Sequence, residues 1–374
     1  MLVRAAESER TQDDDGSADT EIVQIVTPVP RDKWLAVHAA DPHALATQGP
    51  AWMDAQCERG GRSDASRLYR TADGGEHVLP LVRRGLPWAP TSTLASMPLA
   101  WGFGGLISTQ RARPGLITAV LDDVAGLGAL RTHLRPNPLQ ADAWSDAVAG
   151  RPPTGTVVIP RVAHILSLEG GYDRVSAELF NATTRRNLRA AARAGVRVEC
   201  DTTGRQIPVF YRLLMASFDR WAGQQHEPRL LARARGNLRD PEEKFRRMAS
   251  HLDGGFRLWI AWHRQRPVAA ILVLQGTNAH YTRGAMDKAL AGPCHANSIL
   301  HAAAIEDACV SGCDWYHMGE TGTSPGLTQF KTRFGAVAHP YAELRLERLP
   351  LTAIERAARS VVKRVVGFKE PSPA

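Results

Sequence analysis

Two groups of opposite charge, Glu320 and Lys331, stand at either end of a glycine-rich loop in Trp315-Tyr-His-Met-Gly-Glu-Thr-Gly-Thr-Ser-Pro-Gly-Leu-Thr-Gln-Phe-Lys-Thr-Arg-Phe-Gly-Ala336. The segment reads as a short strand, the loop, and a short helix that carries Lys331 between aromatics. A helix opening after such a turn offers free backbone N–H groups and a positive dipole end. With a lysine beside it, that end suits an anion, or an oxygen that gains negative charge during a reaction. Glu320 could accept a proton from an attacking ammonium group or bind an α-amine; it could equally be a solvated loop carboxylate.

A second cluster is cationic. Arg185, Arg186, Arg189 and Arg193, with Arg197 beyond, share a stretch with no acid between Thr183 and Val198. Arg185, Arg189 and Arg193 fall on one helical face, where like charges repel. A bound phosphate would offset that repulsion. On a nearby strand Arg283, beside Tyr281, could hold a phosphate or carboxylate with its planar fork, or form a structural ion pair.

Two motifs lead elsewhere. Gly322-Thr-Ser-Pro-Gly326 has the Gly-x-Ser-x-Gly spacing of a nucleophile elbow. Its context fails, because only about fifty residues follow and His339 is their one histidine. A pyrophosphate-cradling Arg/Gln-x-x-Gly-x-Gly/Ala, as some acyl-CoA enzymes use, is absent. Arg220-x-x-Gly223 and Arg233-x-x-Gly236 are near misses, and neither follows a strand.

The elements that must position these groups are those of an α/β (α+β) chain. At 374 residues two domains of about 150 residues are expected. In the first half a helix surrounds Trp52 and Met53, and Arg67–Thr71 and Glu76–Arg83 form a hairpin around Asp73-Gly74-Gly75. A Gly-rich stretch follows at 99–108, then a helix over 122–134, a strand near Gln140 and a crossover strand from Thr156 to Leu168. In the second half Asn181 or Thr183 caps a helix that Gly195 ends. Val196–Cys200 is a strand, Pro208–Trp221 and Pro241–His251 are helices, and three antiparallel strands lie between Phe256 and Ala285. Asn297 caps a helix to Val310. A strand, the glycine loop, the Lys331 helix and a last strand over Tyr341–Glu347 complete the order. From Thr352 to Lys369 the pattern is an amphipathic helix, with Ile354, Ala357, Ala358, Val361, Val362, Val365 and Val366 on one face among Arg356, Arg359, Lys363 and Arg364. Such helices mostly dock on their own domain; the alternative is contact with a membrane surface or RNA.

The net charge of +8 and pI near 9.5 fit an anionic partner, or an arginine-rich composition from a GC-rich genome. Five scattered cysteines do not make a disulfide framework and point to a reducing cytoplasm. Cys309 and Cys313 lack histidines at zinc-finger spacing, so no metal site is expected. The first twenty residues read as a disordered tail, with no signal peptide and no apolar run long enough to span a bilayer.

The order of elements resembles the GNAT acyltransferase fold, and particular residues sharpen the likeness. Thr183-Thr-Arg-Arg-Asn-Leu-Arg-Ala-Ala-Ala-Arg-Ala-Gly-Val-Arg-Val198, Ala296-Asn297-Ser-Ile-Leu300, Gly312-Cys313 and Phe330-Lys331-Thr-Arg-Phe334-Gly335 resemble, in order, segments of the Fem family of aminoacyl transferases. Trp101-Gly-Phe-Gly-Gly105 is similar to its first domain. The resemblance covers residues 20 to 350 and implies two tandem GNAT-like domains with mixed, mostly antiparallel sheets flanked by helices. The division is a tail over 1–20, domains over 21–155 and 156–350, and a terminal helix over 351–374. Roughly twenty residues between Trp221 and Pro241 leave no room for the coiled-coil arm of larger members.

The resemblance implies an amide-forming transferase that uses aminoacyl-tRNA, with acyl-CoA as the alternative donor and no bound cofactor. The acceptor is a small amine or a peptidoglycan precursor, and the protein is expected to be a monomer. It assigns Lys331, by its position in the Phe-Lys element, to the oxyanion; Glu320, read from the loop itself, is the second candidate catalytic residue, as proton acceptor or α-amine ligand. Tyr281, Arg283, Asn297, Thr321 and Phe330 are expected to line the substrate site, and Arg185, Arg186, Arg189 and Arg193 to bind tRNA.

Overall fold

The structure is a computed structural model and describes residues 21–366 except 59, 97–101 and 323, with the side chains of 359 and 362–366 also excluded. The expected tail over 1–20, Trp101 and the end of the terminal helix therefore lie outside the described residues. The strands are β1 (Ile22–Val26), β2 (Arg62–Asp64), β3 (Arg67–Thr71), β4 (Glu76–Leu79), β5 (Val82–Arg84), β6 (Thr93–Ala95), β7 (Ile107–Ser108), β8 (Arg131–Leu134), β9 (Thr156–Ser167), β10 (Arg197–Asp201), β11 (Phe256–His263), β12 (Arg266–Gln275), β13 (Ala279–Met286), β14 (Trp315–Glu320) and β15 (Val337–Glu347). The helices are α1 (Arg31–Ala40), α2 (Pro50–Cys57), α3 (Pro114–Gly126), α4 (Ala141–Gly150), α5 (Gly171–Arg174), α6 (Ala182–Arg193), α7 (Ile207–Gln224), α8 (Arg229–Arg239), α9 (Glu242–His251), α10 (Lys288–Ala291), α11 (Ala296–Val310), α12 (Pro325–Thr332) and α13 (Leu351–Val366).

One eleven-stranded sheet runs through both halves in the order β10-β11-β12-β13-β14-β9-β15-β8-β6-β5-β2, and a four-stranded sheet, β1-β3-β4-β7, packs beside it. β12 shows why the C-terminal half is layered. Ala269, Ile271 and Val273 enter a core with Leu300 and Ile305 of α11, while Ala270, Leu272 and Leu274 enter another with Phe210 of α7 and Phe245 of α9. Alternate side chains of a strand face opposite sides, so a strand apolar at every position is covered on both faces. In the first half, Ile117, Val120 and Val124 of α3 pack on Leu134, Leu344 and Leu346.

β15 joins the halves. One edge pairs with β9 from Val337↔Ile165 to Leu346↔Thr156, and the other pairs with β8 from Leu344↔Leu134 to Glu347↔Arg131. Glu343 at its centre is fully buried. Arg161 and Arg345 each approach its carboxylate to 2.7 Å and His133 Nε2 to 2.9 Å. Burial alone would raise its pKa, but His133, Arg345 and Arg161 outweigh that and hold it well below the usual carboxylate range.

Several expectations need correction. The helix expected over 122–134 is α3, which ends at Gly126; Gly128, at φ +66°, turns the chain and Arg131–Leu134 is strand β8. The strand expected near Gln140 is a 3-10 turn leading into α4. Glu76–Arg83 is not one strand. Pro80, which cannot donate to a ladder, separates β4 in the small sheet from β5 in the large one. Asn297 does not cap α11; the cap position is His295, in the left-handed region at φ 52°. Asn181 does cap α6, accepting the Thr184 N–H at 2.8 Å.

Among the described residues, the apolar face of the terminal helix is exposed at Ile354, Ala357, Ala358 and Val361. Polar contacts hold its start: Thr352 to Glu347 and Arg345, and Glu355 to Arg131. Ile354 and Val361 are 58% and 60% exposed.

The Glu343 cluster makes a stability prediction. Glu343→Gln should cost about 3 kcal/mol, because it removes the buried carboxylate that Arg161, Arg345 and His133 share. Urea unfolding should show a lower midpoint with an unchanged slope. The native carboxylate has a depressed pKa, so its contribution is fully present above the unfolded value of about 4.3 and is lost as pH falls below it. The variant's stability should accordingly fall less steeply with acid than the parent's.

Candidate active site

β13 and β14 run parallel but pair only at Ala279↔Tyr316 and His280↔His317; beyond those residues the ladder stops. The C-terminal stretches of the two strands, Tyr281–Met286 and Met318–Glu320, diverge and leave a wedge in an otherwise continuous sheet. A bulge between His317 and Gly319 in the pairing with β9 coincides with Gly319 at φ +72°. Successive carbonyls of a regular strand point to opposite edges. The left-handed residue turns those of Gly319 and Glu320 to one side, where Lys331 Nζ donates to both at 2.8 Å.

Lys331 lies on α12, whose start is capped by Ser324, and is only 3% exposed. Its ammonium has three N–H donors, so two carbonyl contacts leave one for a ligand oxygen. Burial brings its pKa down from the ordinary lysine value to about 7, with the nearby Glu320 charge opposing that shift. On the same side, Phe330 packs at 5.3 Å from His301, whose ring meets Tyr281 edge-on at 4.7 Å. Tyr316 Oη is 3.3 Å from His301 Nδ1. Burial keeps His301 neutral at about 3 and pushes the Tyr281 hydroxyl up to about 12.

The opposite face belongs to the junction between the halves. The Glu320 carboxylate accepts from Arg135 Nη2 at 2.5 Å and from the Tyr341 hydroxyl, and Arg135 also donates to Tyr341 Oη at 3.0 Å. The Arg135 guanidinium lies over Phe103, and Phe103 stacks on His280 at 5.1 Å. His280 and His317 are buried, with pKa values lowered by that burial, His280 to about 3. Both ring nitrogens of His164 and His317, and Nδ1 of His280, have no protein partner among the described residues. Unsatisfied buried nitrogens of this kind are where water or a polar ligand is held.

The residues singled out in sequence divide accordingly. Lys331, Glu320, Phe330, Tyr281 and the buried Thr321 gather around the wedge. Arg283 does not. It is in register with Leu272 of the opposite core, and its guanidinium bonds Asp240 at 3.1 and 3.3 Å and the Thr282 carbonyl at 2.7 Å. Asn297 directs its amide to the Met286 sulfur at 3.1 Å. Arg185 turns inward to the Ala177 and Phe180 carbonyls, the former at 3.0 Å. Arg186, Arg189 and Arg193 are exposed, with no acidic partner among the described residues. Their helix touches the Lys331 helix, because Asn181 N and Thr184 Oγ1 both donate to the Arg333 carbonyl at 2.9 Å.

Sequence reasoning missed Arg135, Tyr341, Phe103 and the histidines at 164, 280, 301 and 317. The available signals were His280-Tyr281 and Tyr316-His317, matched dipeptides opening two neighbouring strands, and an arginine just before Pro136-Asn-Pro138. No group of three or more metal-ligating side chains suited to a metal ion occurs among the described residues.

A sheet opened between two parallel strands, with a buried lysine bonded to carbonyls at the opening, is the arrangement of a GNAT-type fold. Residues 180–332 match the family model described as an acetyltransferase (GNAT) domain. Among solved structures, FemX aligns with 89% of this chain and 99% of its own at 14% identity and a TM-score of 0.65. More distant are the C-terminal domain of a putative lysylphosphatidylglycerol synthetase from Agrobacterium fabrum (13% identity, 92% and 97% covered, TM-score 0.47) and a tandem GNAT protein from the clavulanic acid biosynthesis pathway (14%, 86% and 97%, TM-score 0.44). No curated protein matches in sequence. Residues 180–332 are thus similar to a GNAT domain, and the chain has a FemX-like fold.

The site generates two predictions. In NMR of lysine-labelled protein, the Lys331 side-chain resonance, assigned by its loss in Lys331→Arg, should titrate with a midpoint near 7; a midpoint near 10 would remove the buried-cation description. In a double-mutant cycle, Arg135→Met and Glu320→Gln should show a coupling of about 2 kcal/mol, as contacting partners do. Additive losses would mean the pair does not lock the two halves together.

Proposed function

We propose that the protein forms an amide bond by moving an aminoacyl group from aminoacyl-tRNA to the primary amine of a small molecule or a peptidoglycan precursor. The observation that carries the choice of donor is the connection from β13 to α11. Acyl-CoA enzymes of this class cradle pyrophosphate on free backbone N–H groups between a strand and a helix. Here that connection is α10 and its flanks, and five of its N–H groups are engaged within it. Asp287 Oδ1 accepts from the N–H groups of Ala289 and Leu290, the Asp287 carbonyl from Ala291, the Lys288 carbonyl from Gly292 and the Gly292 carbonyl from His295. Pro293 has no N–H to offer. The Asp287 carboxylate adds negative charge to this connection, beside the cations Arg220 and Lys288. The exposed Arg186, Arg189 and Arg193, tied through α6 to the Lys331 helix, suit the phosphates of an RNA acceptor arm.

The chemistry asks little of the protein beyond alignment and charge stabilisation, because an aminoacyl ester is already activated. A neutral amine attacks the ester carbonyl, a C–N bond forms, and the carbonyl oxygen becomes an oxyanion that the remaining Lys331 N–H can hold. Collapse breaks the C–O bond to the ribose, and the proton lost by the amine ends on the released ribose hydroxyl. A lysine titrating near 7 suits that relay. Glu320, engaged by Arg135 and Tyr341, positions the β14 end rather than serving as a free base.

The family description of residues 180–332 as an acetyltransferase domain favours a second reading, an acyl-CoA-dependent N-acyltransferase. Product mass spectrometry with charged total tRNA, candidate amines and an acetyl-CoA control separates the two. The proposed reading expects an aminoacylated amine whose formation RNase abolishes and Lys331→Ala lowers at least about 100-fold. An RNase-resistant product formed from acetyl-CoA would overturn it. Replacing Arg186, Arg189 and Arg193 together with Gln should weaken tRNA binding and flatten its salt dependence.

A further inference from the structure

We propose that one end of the large sheet is a docking surface for an anionic lipid bilayer, made by α13 together with the loop between β5 and β6. The first observation is the orientation of α13. Its polar contacts to the body come from Thr352 and Glu355. At about 100° per residue, Ile354, Ala358 and Val361 lie on the side opposite Thr352. They are exposed, so the apolar stripe faces away from the protein. A helix that only needed to cover its own domain would face the other way.

The second observation is independent of the helix. Trp88 is 79% exposed and Leu86 55%. Both sit in the turn between Arg84 and Thr93. Backbone bonds place that turn beside the root of α13: Leu130 N donates to the Ser92 carbonyl at 2.8 Å, and Arg348 N donates to the Leu130 carbonyl at 3.1 Å. Leu349, 55% exposed, continues the patch into the helix. An indole and aliphatic side chains on one surface are what inserts at the headgroup boundary.

Charge selects the occupant. Arg84, Arg348 and Arg356 are exposed at this end with no acidic partner among the described residues. The neighbouring acids Glu347 and Glu355 are already paired with Arg131 and Arg345. Cations around an apolar stripe favour an anionic membrane surface over a second copy of this basic chain, which would bring like charges together. RNA, which the same cations would attract, does not call for an exposed aliphatic stripe. No helix of the described residues is long and apolar enough to cross a membrane, so the contact is interfacial.

The test is sedimentation of the full chain with sucrose-loaded vesicles. Phosphatidylcholine vesicles containing about one third phosphatidylglycerol, enough to give a negative surface potential, should bind at least tenfold more protein than phosphatidylcholine alone. Ile354→Asp with Val361→Asp should lower that binding at least tenfold, and Trp88→Ala several-fold. These side chains are exposed, so thermal melting and transfer to a soluble acceptor should be unchanged; that separates failure here from failure of the proposed reaction. Equal binding to both vesicles, or binding indifferent to the substitutions, would overturn the proposal. So would aspartate variants that lose tRNA binding while keeping vesicle binding, which assigns the helix to RNA. Loss of a dimer in the aspartate variants, with vesicle binding retained, would assign the stripe to a second copy.

Discussion

β15 is a single strand with two obligations. Its edges are occupied by β9 and by β8, and the residues that satisfy one neighbour fix the position of the other. A one-residue slip would move Leu344 and Leu346 out of the core and Glu343 away from its three cationic partners. Register is thus set by apolar alternation and by a buried charge cluster together. Everything at the candidate site inherits that register. Arg135 follows β8 and Tyr341 lies on β15, so the Glu320 carboxylate meets both only if the shared sheet is intact.

The opening between β13 and β14 has the opposite character, since there the sheet gives up pairing. Backbone groups that lose a ladder partner must find another or pay for burial without one. Lys331 supplies that partner, and Gly319 makes it possible by turning two carbonyls to the same side. A cation drawn into a buried position by backbone oxygens loses solvation, which lowers its pKa. The same contacts that close the defect in the sheet therefore produce an amine near neutrality. The structural role of Lys331 and the chemical role proposed for it share one origin, so losing the side chain should affect both.

Much of the C-terminal half was legible because its signals are local. Asn181 and Gly195 bracket α6, and the alternation of Phe256, Leu258 and Ile260 declares β11. Lys331 stands out as the one lysine of a short helix, between aromatics. The partners of Glu320 were not legible. Arg135 and Tyr341 lie 185 and 21 residues away in the chain, and neither carries a spacing that announces the contact. Arg185 shows the converse. It shares helical periodicity with Arg189 and Arg193, but its guanidinium turns inward to close the turn before α6. Periodicity placed the three on one face; the chain segment packed ahead of the helix decided which of them stays free. Arg283 was read with its fork open to either a ligand or an ion pair, and the buried Asp240 on the far face supplies the ion pair.

The polar character of the wedge bears on which acyl donors it can hold. On the α11 side, burial leaves His301 and Tyr281 uncharged at neutral pH; on the other, His280 and His317 are likewise uncharged. Apart from the Arg135–Glu320 ion pair, whose charges offset each other, the site thus offers neutral donors and acceptors around one titrating amine. Such surroundings do little for a pyrophosphate, whose charge needs cations or a row of free N–H groups. They suit a neutral ester and a neutral amine, and they strengthen any hydrogen bond to an oxyanion formed between them, because little water is present to compete. The charges suited to phosphate stand outside, on the exposed face of α6. Under the proposed reading, an exposed cationic face set apart from the candidate site fits a donor whose polyanion lies apart from its ester, as the body of a tRNA lies apart from its charged end.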